Sequence, residues 1–193
     1  FPYCASFAED LNNGLIYPLC TRGSVRQYAM AKLLAALFCV AASYLLGTLA
    51  FLAYSLTKLP LALYEDAFNY SAFYTTFMGF LLADHHPMLY LLMQFYCAMM
   101  VNLFYGAMTA AVSTVIPNRM FLWACPIVIG YGIMFLFWFL GAPNYVNPVQ
   151  IMTGWISGDV ARDSFIVFGM MGLLTALGGW LFVRGLRRRV KIA

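Results

Sequence analysis

Two groups in this chain have residue types and spacing that could do chemistry. The first is Asp84-His85-His86, the one cluster that suggests a metal or acid–base site. Neighbouring histidines on a helix point about 100° apart. The chain has only two histidines, so no third completes a usual ligand set. Pro87 follows directly, and the group reads as the loop entry to a helix with Asp84 as its cap, holding no metal. The second group is Ser6 to Lys32, the longest polar passage before the C-terminal end, and its chemistry is recognition. Ser6 and Glu9 have capping-box spacing, and Asn13-Gly14 is a natural helix stop. Acidic residues sit where a helix dipole favours negative charge. Thr21-Arg22-Gly23 reads as a turn, and Ser24 to Gln27 repeats the start signal just before an apolar run. A capped helix, a turn and a second capped helix entering a membrane make an elbow.

The surrounding composition says what must position that elbow. Apolar residues are 64% of the chain and charged ones 9%, against about 25% in a soluble domain. So few charges cannot cover a soluble surface of 193 residues, so the class is an all-α integral membrane protein. The opening FPYCASFAED has no signal-peptide pattern, and the lack of an initiator Met predicts that sequence precedes Phe1. Cys39, Cys97 and Cys125 lie in apolar runs and behave as small hydrophobes. Cys4 and Cys20 fall in a segment read as cytoplasmic, so no disulfide or zinc site is expected.

A span needs about 20 apolar residues. Four runs qualify: 33–57, 88–116, 121–140 and 164–183, with outer loops at 58–87 and 141–163. This divides the chain into a cytoplasmic elbow (1–32), a transmembrane domain (33–183) and a basic cytoplasmic tail (184–193). Lysine and arginine placement puts elbow and tail inside, leaving only Lys58 and Arg162 outside. The uncharged stretch Ala67 to Ala83 would reverse that pattern as a fifth span, and reads instead as an interfacial or re-entrant element. Gly141 to Asp163 is too broken by Gly and Pro to span and reads as a short helical hairpin on the outer side.

Small residues line two helix faces: Gly106, Ala110 and Thr114, and Gly172, Ala176 and Gly179. They predict close packing within the subunit, or alternatively a seam between two copies. The runs hold no Asp, Glu, Lys, Arg or His, whereas proton-coupled carriers and pumps usually keep ionisable groups at depth. Ser43, Tyr44, Gln94, Asn102, Tyr105 and Thr109 are left as the lining of a substrate path, or equally as hydrogen bonds between helices. No phosphate-binding loop, nucleophile elbow or paired-carboxylate motif occurs, so the chain is not expected to be an enzyme. The basic tail reads as a topology anchor that attracts anionic lipid, not as a nucleic-acid site.

The elbow resembles a known family. Pro2-Tyr3, Phe7-Ala8-Glu9-Asp10, Gly14, Arg22, Tyr28 and Lys32 ahead of a long span look like the central cytoplasmic loop of type 2 ATP-binding-cassette permeases of bacterial exporters. The resemblance covers the chain in outline, with specific residues only from Phe7 to Lys32. It implies the last four helices of a six-helix permease in the cell membrane, working as a dimer with a second copy or homologue. It also implies a coupling helix docked on a separate ATPase subunit, which would hold the ATP and Mg; this chain would bind no cofactor itself. On that mapping Phe7, Glu9, Asp10, Gly14 and Arg22 couple to the ATPase, and Tyr28 and Lys32 fix the next helix at the interface. The expected function is export of a peptide, drug or lipid-like substrate. The segment between the first two spans, Lys58 to Pro87, is longer than the family's usual link. The alternative is a non-transporting scaffold, immunity or sensor subunit.

Overall fold

The computed structural model describes residues 6–16, 18, 24–58, 76–84, 86–141, 143, 147–154 and 159–192. Every regular element among them is a helix. The protein is an all-α membrane protein, with four helical stretches long and apolar enough to cross a bilayer. In chain order the elements are α1 (Ser6–Asn12), α2 (Val25–Lys58), α3 (Phe80–Ala83), α4 (Pro87–Ser113), α5 (Arg119–Phe139), α6 (Pro148–Met152), α7 (Val160–Ser164) and α8 (Met171–Ile192). A π-helical segment, Phe165–Met170, joins α7 to α8 without a break.

The spans keep their expected places but not all their ends. Helix α2 starts at Val25, eight residues ahead of the apolar run at Leu33, because the second capping box forms as read. The Ser24 N–H donates to Gln27 Oε1 at 3.3 Å, and the Gln27 N–H donates to Ser24 Oγ at 3.2 Å. At 34 residues, α2 runs roughly 50 Å, well beyond the ~30 Å hydrocarbon core. Its first two turns therefore belong to the elbow. Helix α4 stops at Ser113, where the Thr114 hydroxyl turns back onto the Ala111 carbonyl before Pro117. Asn118 caps α5 by accepting from the Met120 and Phe121 N–H groups, and Pro126 sits buried inside that helix. The tail expected after Val183 is not separate, since α8 carries its arginines on helix through Ile192.

Helix α4 is the centre of the bundle. Its Cys97, Ala98, Val101, Phe104, Tyr105, Ala107, Thr109 and Ala110 are all buried. Small residues set the seams. A Cβ on Gly178 of α8 would lie 3.1 Å from Ala107 Cβ, and one on Gly106 would lie 3.0 Å from Val40 of α2. One on Gly179 would lie 2.7 Å from Leu33. Although Ala176 of the second row is exposed, Gly106 and Gly179 thus serve close approach inside this subunit, which hydrophobicity alone cannot drive in lipid. Gly172, by contrast, has nothing within 4 Å of where a Cβ would stand. Large apolar side chains such as Phe38, Trp138 and Phe139 face outward, as lipid-facing surfaces require.

Both ends of the bundle are built. At one end lie the elbow, the 114–118 turn and the end of α8; the Arg189 guanidinium donates to the Val115 carbonyl at 2.7 Å. At the other end the two expected outer loops meet. The Phe77 N–H donates to the Gly154 carbonyl at 2.8 Å, and the Gln94 amide donates to the Phe77 carbonyl at 2.9 Å. Phe77 and Ile151 are fully buried against Cys97 and Val101. The described part of the first loop is therefore packed into the bundle end; Ala67 to Thr75, with Asn69 and Ser71, lies outside the described residues. The second loop holds one short helix, α6, capped by Asn147. Helix α7, capped by Asp159, runs on into α8, so the last span starts at Val160 rather than Ser164. Residues 155–158, where the expected hairpin would turn, lie outside the described residues. Asp163 of α7 is fully buried at that end.

Candidate functional site

Helix α1 is short, and its position comes from side chains rather than length. Gly14 takes φ 68°, the left-handed conformation that ends the helix after Asn12 and turns the chain back. Phe7 is buried edge-on against Phe182 of α8, with ring centroids 5.4 Å apart. Ala8 and Ile16 are buried too, with Ile16 in the cluster formed by Phe7, Ala29, Leu33, Phe182 and Leu186.

The polar side of α1 is fixed to three other parts of the bundle. The Lys32 ammonium of α2 stands 2.7 Å from Asp10 Oδ2. The Tyr28 hydroxyl donates to the same oxygen at 2.6 Å. Lys32 also donates to Ser6 Oγ at 2.6 Å. Glu9 does not reach back toward Ser6 as a capping box would; its carboxylate lies 2.9 Å from the Arg119 guanidinium at the start of α5. The Asn12 amide donates to the Pro117 carbonyl at 3.3 Å. The elbow helix therefore touches α2, α5 with its preceding turn, and α8 at once.

This geometry sorts the expected coupling residues. Phe7 and Asp10 face the bundle, Tyr28 and Lys32 receive them, and Gly14 makes the turn. Glu9 and Asn12 stay partly or largely exposed while bonded to Arg119 and the Pro117 carbonyl, and Asn13, Gly14 and Leu15 are exposed beside them. Arg22 lies outside the described residues, as do Cys4 and Cys20. Arg119 is the residue that sequence reasoning missed here. Its signal was its place as the first charge after the second span, on the same expected face as Glu9.

No family model, curated protein or solved structure matches this chain. The site is therefore read from its own geometry.

None of the six candidate path residues lines the grooves that the described residues form between α2 and α8, between α4 and α8, or beside α5 and α6. Ser43 is exposed on α2. Gln94 is committed to Phe77, Asn102 donates to the Ala98 carbonyl at 2.8 Å, and Thr109 donates to the Tyr105 carbonyl at 2.8 Å. These bonds satisfy polar groups on α4 where no water would. Tyr105 packs beside Gly130 of α5, where an added Cβ would meet the phenol oxygen at 3.2 Å. Tyr44 is half-buried on α2. At the far end His86, not Asp84, precedes α4 as its cap residue, without a side-chain cap bond, and Pro87 opens the helix. His85 lies outside the described residues. No cluster of three metal-ligating side chains occurs among the described residues.

Proposed function

We propose that this chain is the membrane-spanning subunit of an ATP-driven transporter, an exporter of a peptide, drug or lipid-like substrate, worked by a separate ATPase through the elbow. One observation carries the reading: α1 is joined to three transmembrane helices by short polar bonds and a buried aromatic pair. A push on its exposed side would reach α2, α5 and α8 together. Rigid elements joined this way are what passing a motion between sites requires.

In this reading Glu9 and the exposed Asn12 to Leu15 turn meet the ATPase, while Phe7, Asp10, Tyr28 and Lys32 transmit the load. ATP and Mg belong to the partner. Closure of the ATPase would tilt the helices and open a path between this chain and a second copy or homologue. Elbow and basic tail then face the cytoplasm, in keeping with the arginines gathered at that end.

The deciding experiment is affinity purification of the complete protein in mild detergent. A stoichiometric ATP-binding subunit that is lost on Glu9→Lys is the expected result. A clean preparation, with no stimulation when an ATPase is supplied, overturns the reading in favour of a membrane scaffold.

A further inference from the structure

A groove of about 880 Å³ runs between α2 and α8, open to the side of the bundle. Its walls are apolar for most of their length, from Gly172 up to Leu33 and Val183. At the elbow end Arg26 of α2 and Arg184 and Arg187 of α8 line it, and all three are exposed. Among the described residues, none that lines the groove is acidic. The two acidic residues described at that end, Glu9 and Asp10, are engaged with Arg119 and Lys32 instead.

We propose that this groove holds one anionic glycerophospholipid, its phosphate among the three arginines and an acyl chain along the apolar wall. Length, charge and edge chemistry agree. From Arg187 down to Gly172 the groove covers roughly 22 Å of helix, against about 15 Å for the hydrocarbon part of one leaflet. A chain whose headgroup sits at the arginines therefore stays in the groove to mid-bilayer. Guanidinium groups offer paired donors that match phosphate oxygens. Basic pockets between helices at the membrane surface suit such headgroups better than zwitterionic ones. Trp180 lines the groove with Arg184 4.9 Å over its ring, which orients that guanidinium at the level where aromatic side chains meet headgroups. Gly179 brings Leu33 close beneath, closing the floor. Open space at Gly172 leaves the chain's end room. The inference goes beyond the permease reading and rests on the groove being open to lipid in the complete protein, which crosslinking from a cysteine at Ala176 checks.

The test reconstitutes the complete protein in phosphatidylcholine nanodiscs containing a minor fraction of phosphatidylglycerol, then counts retained lipid by native mass spectrometry. One phosphatidylglycerol per chain is expected, undisturbed by excess inorganic phosphate. Loss of any one of Arg26, Arg184 or Arg187 to Gln should weaken retention about fivefold. Arg188→Gln is the control, because Arg188 lines a different groove, between α4 and α8, and its loss should change little. Gly172→Leu keeps every arginine but fills the apolar wall, and it should also release the lipid. Three outcomes overturn the proposal: equal retention of both lipids, an Arg188→Gln effect as large as that of Arg187→Gln, or crosslinking of a cysteine placed at Ala176 to another protein segment. The second would mean diffuse attraction to a basic tail, and the third a polypeptide occupant.

Discussion

The Lys32 ammonium and the Asp10 carboxylate lie 2.7 Å apart at the junction of elbow and bundle, each with 17% of its side chain exposed. Such a pair is neither a surface ion pair nor a dry one. Tyr28 adds a hydrogen bond to the same oxygen, which offsets part of the desolvation cost. Removing one partner leaves the other charge half-buried. Lys32→Met should lower stability by about 1–3 kcal/mol, and Tyr28→Phe by about 1 kcal/mol. Thermal unfolding in detergent reads both. In a double-mutant cycle, Asp10→Asn with Lys32→Met should cost clearly less than the two singles summed. Strict additivity would mean that the pair does not tie α1 to α2.

Glu9 and Arg119 make the opposite case. Their side chains are 43% and 66% exposed, so solvent and salt screen the pair. Breaking it should cost well under about 1 kcal/mol. Glu9→Lys should therefore leave the melting temperature nearly unchanged, and loss of a bound ATPase in that variant would report recognition rather than unfolding. A large drop in melting temperature for Glu9→Lys would show instead that α1 depends on Arg119 for its place.

Much of this was legible in the sequence, for physical reasons. Uninterrupted apolar runs of span length have one stable environment, so all four spans were found. Ser24 and Gln27 cap by a local rule that needs no tertiary information. Gly14 ends α1 because the backbone there requires a left-handed residue. What stayed hidden was pairing across the chain. Ser6 and Glu9 have capping-box spacing, yet Lys32 takes the hydroxyl and Arg119 takes the carboxylate. A distant cation at the same membrane face outcompetes a local N–H, and spacing cannot reveal it. The polar residues of α4 fitted two readings by type. Asn102 bonds back to its own helix, while Thr109 bonds back to the Tyr105 carbonyl and also pairs with Cys125 of α5, a hydrogen bond between helices.

The seam between α4 and α8 should tolerate no added carbon. A Cβ at Gly178 would stand 3.1 Å from Ala107 Cβ and 3.2 Å from the Ala107 backbone carbon. Backbone cannot rotate away as a flexible side chain would. Gly178→Ala should therefore force the helices apart and cost about 1–3 kcal/mol, the usual range for overpacking. Gly172→Ala, on the same helix with open space around it, should be neutral in the same unfolding assay. Equal effects at both positions would mean that glycine matters for α8 itself and not for its contact with α4.

At the far end, Gly154 and Gln94 hold the two loop segments together. Gly154 has φ 75°, its carbonyl accepts from Phe77, and a Cβ there would overlap the Gln94 amide. Gly154→Ala should therefore act twice. It strains a left-handed backbone position by about 1–2 kcal/mol, and it displaces the amide that donates to the Phe77 carbonyl. Gln94→Ala alone leaves that buried carbonyl unsatisfied, at about 1–3 kcal/mol. The double variant should fall short of the sum, because the second substitution removes the overlap created by the first. Hydrogen exchange at the Phe77 amide, which donates to the Gly154 carbonyl, offers a separate readout. Loss of the Gln94 clamp should speed exchange there while leaving the elbow bonds of Asp10 and Lys32 intact. If exchange is unchanged in both singles, Phe77 is held by its apolar contacts with Ile151 and Val101 and the polar clamp only sets its orientation.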